Sequence, residues 1–210
     1  MKAVDEIAMN PDTQTRIVVY DFLRRVFLHE PTEEFLTRLS ESGLLEELMD
    51  LPGVRELNDC VRDTLASGGI EDVRQDFYQL FLGPGHVKAP PWESVYTSES
   101  RLVNQAPTSK VRQLYAEYGF ETAAGELEDH FGTECDFLFR LCSLMAVADE
   151  DRRSDLLSVQ KYFVKDHLLK WAPGFGEDIM KNARTAYFHG LGEFVNYWVR
   201  LEGEYLDGAV

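Results

Sequence analysis

The chain has 210 residues, 44% of them hydrophobic, with 37 Asp and Glu against 21 Lys and Arg and a net charge of −16. A chain of this size buries about 70% of its unfolded surface, so neither global disorder nor a metal or disulfide staple is expected. The acid excess repels phosphate backbones, and no Lys/Arg stripe with interleaved aromatics offsets it, which argues against nucleic acid as a partner. Cys60, Cys135 and Cys142 are an odd count without a paired framework and suit a reducing cytoplasm. There is no run of eighteen apolar residues and no apolar stretch of signal-peptide length at the start, so neither a membrane span nor export is expected.

Apolar residues recur at helical spacing and strict alternation is missing, which predicts an all-α protein of about ten helices in a single globular domain. Asn10 with Pro11 predicts a helix start, and Val19, Tyr20, Leu23, Val26 and Phe27 stripe it up to Pro31. Thr32 followed by Glu33 and Glu34 predicts a capped short helix closed by Gly43, with Leu44 to Leu48 forming another turn. Val54 to Leu65, ended by Gly68-Gly69, and Ile70 to Phe81 complete the first half. The run from Gly83 to Trp92 contains Pro84, Pro90 and Pro91, so no helix can cross it. Residues 83–106 are therefore expected to be a hinge loop between helical halves at about 10–82 and 107–205. Beyond it the stripes predict helices from Pro107 to Tyr118, Phe131 to Met145, Leu156 to Leu169 with a stop at Pro173-Gly174, and a last long one from Ile179 to Trp198. The charged run Asp149 to Arg153 separates the second of these from the third.

Two segments carry more than packing. Trp92 follows two prolines and precedes Glu93-Ser94, so a bulky ring is held in a nearly fixed direction beside polar groups. It suits an anchor for a ligand, or a plug between the two halves. The second segment, Glu126 to Glu134, places four carboxylates within nine residues at a helix start, with His130 next to Asp129 and one turn before Glu134. His130 and Glu134 could offer two metal ligands, but no third is located and no metal or other cofactor is expected. Gly68-Gly69 and Gly83-Pro84-Gly85 lack the Lys-Ser/Thr pair of a phosphate loop, and Ser94 lacks the strand-turn-helix setting of a nucleophile elbow.

Leu80-Phe81-Leu82-Gly83-Pro84, Ala89-Pro90-Pro91-Trp92-Glu93-Ser94-Val95-Tyr96 and Glu128-Asp129-His130-Phe131-Gly132, at this separation, resemble the TorD/DmsD family of cytoplasmic chaperones. The resemblance extends to Phe163, His167, Leu168, Trp171 and Pro173, which are similar to the family's F-x-x-x-H-L-x-x-W-x-P signature. It implies an all-helical non-enzyme that binds the twin-arginine signal peptide, and the apo form, of a molybdenum oxidoreductase catalytic subunit. By this resemblance Phe77, Leu80, Phe81, Pro91 and Trp92 form the apolar side of the peptide surface, and Ser94, Glu126, Asp129 and His130 its polar side. Such a division fits a ligand combining guanidinium groups with an apolar stretch. The expected state is a monomer with domain-swapped dimers as a minor species. Val103-Asn104-Gln105 stands where many relatives carry Phe-Gly. The alternatives are a nitrate-reductase-type assembly chaperone, an acidic helical scaffold that binds a folded partner, and an enzyme with His130 as general base.

Overall fold

The computed structural model describes residues 11–83, 85, 87–123 and 125–209, and among these there is no strand; the fold is all-α. Its helices are α1 (Thr13–Leu28), α2 (Glu33–Glu41), α3 (Leu44–Glu47), α4 (Val54–Ser67), α5 (Ile70–Phe77), α6 (Glu93–Thr97), α7 (Ala106–Glu117), α8 (Phe131–Val147), α9 (Glu150–Phe163), α10 (Leu169–Asn182) and α11 (Ala186–Ala209). Two π-helical turns, Tyr78–Leu82 and Val164–Leu168, extend α5 and join α9 to α10. No described helix is long and apolar enough to cross a membrane.

Most boundaries follow local chemistry. Thr32 Oγ1 accepts from the Phe35 N–H at 3.1 Å, and Gly68 ends α4 with a left-handed φ of 72°. Four boundaries differ from expectation. Asn10 lies outside the described residues, and α1 starts at Thr13, with the Asp12 carboxylate accepting from Thr15 N–H at 2.7 Å. The expected hinge loop contains α6, whose start is capped from a distant part of the sequence. The charged run 149–153 is not a separator but the first turn of α9, with Asp149 accepting from Arg152 N–H. Finally, α10 runs through Pro173 instead of stopping there, because Phe175 and Ile179 continue its buried stripe. The break falls at 183–185 instead, where Asp76 takes the backbone N–H groups of Arg184 and Thr185.

Two compact units are built from interleaved stretches of chain. Unit 1 comprises His29–Pro90 and Pro173–Trp198; unit 2 comprises residues 11–28, Pro91–Ala172 and residues 199–209. The units do not follow the halves expected from the loop, since α1 precedes it yet belongs with residues 91–172.

In unit 1 the rings of Phe77, Phe81, Phe175 and Phe188 form one cluster, with Phe81 5.3 Å from Phe77 and 5.4 Å from Phe188. Gly176 and Gly192 let the backbones of α10 and α11 touch: a Cβ on either would lie 2.7–2.8 Å from the other's carbonyl oxygen. In unit 2, α1 packs on α8 through Phe27 and Phe131, 4.9 Å apart. Arg16, fully buried, donates to Glu202 at 2.8–3.0 Å, and Tyr20 donates to the same carboxylate at 2.7 Å. A buried ion pair of this kind is tolerated because the lone pairs are taken up by several donors at once. Tyr115, Phe120, Phe137 and Phe163 form the unit's second aromatic cluster.

Candidate functional site

Pro90 and Pro91 keep the chain extended into Trp92, and this short extended piece finds a partner within unit 2. Trp92 and His130 form an isolated antiparallel bridge, with Phe131 N–H donating to Pro91 O at 2.8 Å and Glu93 N–H to Asp129 O at 2.9 Å. Two loops far apart in sequence are thereby clamped at the starts of two helices, α6 and α8. The Asp129 carboxylate completes the clamp by accepting from Ser94 N–H at 2.9 Å, in the first turn of α6. His130 caps α8 itself: its Nδ1 accepts from Gly132 N–H at 3.1 Å. The Trp92 and His130 rings meet edge to face at 5.7 Å.

The four carboxylates of the Glu126–Glu134 segment, of which Glu126 and Asp129 are expected on the peptide surface, have separate fates. Asp129 is 0% exposed and Glu134 likewise, Glu128 is paired with Arg112 through two hydrogen bonds of 2.6 and 3.0 Å, and Glu126 alone is exposed. The Arg112 hydrogen bonds hold the Glu128 carboxyl below its usual range. Tyr115 donates to Glu128 O at 3.0 Å, bracing the turn that delivers Asp129 and His130. Burial pushes His130 down to about 4, so the imidazole is neutral and free to accept at Nδ1. The arrangement expected from adjacency, an imidazole oriented by Asp129 or Glu134, is not formed; the ring turns to its own helix start.

The apolar side divides as well. Pro91 is buried and Trp92 is half-buried at the clamp, whereas Phe77, Leu80 and Phe81 lie in unit 1 as core. Leu80 O accepts from Ala89 N–H at 2.9 Å, which ties the base of the 83–92 loop to the π turn. The structure thus brings together Pro91, Trp92, Ser94, Asp129 and His130 and leaves Glu126 exposed in the preceding turn. The other three take part in packing, because a motif of large apolar residues on a helix end serves a core first.

Two further contacts at the clamp are visible only in the fold. His167 Nδ1 lies 2.8 Å from Glu93 Oε2, both buried, and Trp171 Nε1 donates to Glu134 Oε2 at 3.2 Å. The Phe163-to-Pro173 signature is the sequence trace of these contacts: its π turn carries the buried His167, and Trp171 follows in the first turn of α10. Glu93, Asp129 and Glu134 are all buried; burial first, then the negative charges of Glu93 and Asp129, push the Glu134 carboxyl well above its usual range. Asp129 Oδ1, Ser94 Oγ, Thr133 Oγ1 and Glu134 Oε1 are buried without a hydrogen-bond partner. Among the described residues no group of three His, Cys, Asp or Glu side chains is arranged to hold a metal.

The family model described as "Nitrate reductase delta subunit" matches residues 49–177. A "Chaperone protein TorD" of Aliivibrio salmonicida is 26% identical over 211 residues, covering 95% of this chain and 98% of that one. A "Chaperone protein TorD" of Vibrio cholerae is 30% identical over 175 residues, covering 78% and 79%. The fold is similar, with a TM-score of 0.52 at 18% identity over 91% of this chain and 93% of the other, to a crystal structure described as that of a redox enzyme maturation protein from Archaeoglobus fulgidus. Motifs, fold and relatives agree, and the chain belongs to the TorD family of chaperones within the nitrate reductase delta subunit group rather than to a family of enzymes.

Proposed function

We propose that this chaperone binds, in the cytoplasm, the twin-arginine signal peptide of a molybdenum-cofactor oxidoreductase of the dimethyl sulfoxide or trimethylamine oxide reductase type. It holds the apo-subunit until the cofactor is inserted, with the Trp92–His130 clamp as the peptide's contact. The observation that carries this reading is the clamp itself: a half-buried indole held in place by backbone bonds, next to buried oxygens that lack donors. An unpaired buried acceptor costs about 1–3 kcal/mol, so Asp129 Oδ1 and Ser94 Oγ gain from an arriving guanidinium more than solvated carboxylates would. Asp129 is closed to solvent in this conformation, so capture of an arginine requires the 91–94 segment to open. Exposed Glu126 and the net charge of −16 attract the cationic peptide beforehand.

Calorimetry of the full chain with a synthetic twin-arginine signal peptide tests this. Binding should weaken by about tenfold when the two arginines are replaced by lysines, which cannot form the bidentate fork. It should also weaken in part as salt rises, because the apolar term persists. A chain that binds both peptides equally at every ionic strength does not use this site for arginine. The description of the matching family model favours a nitrate-reductase subunit as a second client class; competition between signal peptides of the two enzyme types decides between them.

A further inference from the structure

Unit 2 has, away from the clamp residues, a concavity of about 280 Å³ between the α7–α8 connection and the outer face of α8. Phe120, Phe137 and Leu141 are the buried members of its wall, Tyr118 lines it further, and Leu144 stands at its edge 48% exposed. At that volume it admits one or two large side chains and is too small for a nucleotide or a drug-sized ligand. One turn beyond Leu144, Val147 is 85% exposed and extends the apolar stripe Leu141, Leu144, Val147 out of the cavity along the helix.

The charge at this place is the reverse of the molecule's. In a chain of net charge −16, no cavity-lining residue is a carboxylate and one is a guanidinium, Arg140. Arg140 stacks over the Phe120 ring, 4.8 Å from its centroid, and among the described residues its one ion pair is a long one, 3.9 Å to Asp136. The other Asp136 oxygen faces Arg24 at 3.5 Å. Stacking keeps the guanidinium at the cavity mouth, and no hydrogen bond among the described residues takes up its N–H donors.

We propose that this face docks an apolar polypeptide segment of a partner that carries a carboxylate beside its anchor residue. The anchor side chain fills the cavity on Phe120 and Phe137, the carboxylate is forked by Arg140, and the segment continues over Leu144 and Val147. Self-association is disfavoured as the occupant, because a two-fold contact on this patch brings two Arg140 side chains together. The chemistry is opposite to that of a twin-arginine peptide, so the inference stands independently of the signal-peptide reading.

The test uses the full chain, isotopically labelled, in amide-correlation spectra titrated with N-acetylphenylalanine and, separately, with N-acetylphenylalaninamide. Both should shift the signals of residues 118–120 and 137–147, and the acid should bind about fivefold tighter than the amide. Arg140→Gln should equalise the two, and Leu144→Glu should abolish both; Leu144 is half exposed, so this variant should keep the parent's melting temperature within a few degrees, and Arg140→Gln provides an independent surface variant. Binding of a twin-arginine peptide, measured on the same variants, should not change. The proposal is overturned by an absence of shifts at those residues, by equal affinity of the parent for acid and amide, or by concentration-dependent shifts there without any probe that Leu144→Glu removes, which would assign the face to a second copy.

Discussion

Each unit closes a loop with a buried aspartate, and the two are used differently. Asp76 in unit 1 has an unpartnered Oδ1, as Asp129 does, but its Oδ2 takes three donors: Arg184 N–H at 2.9 Å, Thr185 N–H at 2.8 Å and Thr185 Oγ1 at 2.8 Å. Asp129 in unit 2 receives one, from Ser94 N–H, and its surroundings hold further unpaired oxygens and two more buried acids. A carboxylate that accepts several hydrogen bonds is a structural fastener; one left short of donors among like charges is costly in isolation. The contrast teaches which buried acid to examine for function: the undersupplied one, even though neither is visible from solvent.

The largest expected effect sharpens that contrast. Asp76→Ala leaves two backbone N–H groups and a hydroxyl without their acceptor and should cost about 3–5 kcal/mol of stability, whereas Asp129→Ala should cost about 1–3. Urea denaturation of the two variants side by side is the measurement, and equal costs would dissolve the distinction. Asp129→Asn keeps an acceptor for Ser94 N–H, so it should remain folded while losing affinity for a twin-arginine peptide.

Next in size is the cap beside Asp129. His130 must stay neutral to accept from Gly132, and burial lowers its pKa from 6.5 to about 4. The folded state therefore disfavours the proton. Stability is complete above about pH 6.5 and is lost as pH falls toward 4, by about 3 kcal/mol. His130→Asn retains a capping acceptor without a titrating ring, so the difference in stability between variant and parent should move in the variant's favour over that interval. Parallel pH dependences would mean that the ring charges without cost in the folded chain.

How much of this was legible beforehand varies with how local the cause is. Thr32, Gly43 and Gly68 mark helix ends through their own backbone chemistry, and the stripes on α1, α4, α8 and α11 declare the all-α class by spacing alone. The starts of α6 and α11 leave no local trace in the sequence, because their caps, Asp129 and Asp76, come from 35 and 108 residues away. Pro173 looked like a terminator because the burial of Phe175 and Ile179 cannot be weighed from a string. At the site, Trp92, Asp129 and His130 stood out by residue type, while Glu93, His167 and Trp171 were present only as parts of motifs whose contacts the fold reveals. Phe77, Leu80 and Phe81 matched the same motifs and turned out to be core.

Trp92→Ala compares the clamp with the aromatic core. The half-buried indole should cost about 2 kcal/mol or more in peptide binding and less in stability than the 3–5 kcal/mol of a buried aromatic such as Phe81. Calorimetry and thermal unfolding on Trp92→Ala and Phe81→Ala together give the answer. If Trp92→Ala unfolds as readily as Phe81→Ala, the indole is packing and not an anchor.

The smallest effect concerns Glu134, and it tests whether the acid cluster is one charge short. Burial and the charges of Glu93 and Asp129 raise its pKa well above the usual 4.5, so folding retains a proton that the unfolded chain releases. The sign follows: stability is unaffected below about pH 4.5 and declines as pH rises toward the raised value, because the unfolded state then gains from ionisation. Trp171 N–H occupies Oε2, so the retained proton belongs on Oε1, the oxygen without a partner. Glu134→Gln copies that protonated group and still accepts from Trp171. Below about pH 4.5 its stability should lie within about 1 kcal/mol of the parent, and as pH rises from there it should become increasingly the more stable of the two. Urea titrations from about pH 5 to 9 resolve the slopes. A shared slope would show Glu134 ionised in the folded chain, with its charge balanced by a donor, and would make the cluster around Asp129 as well supplied as Asp76.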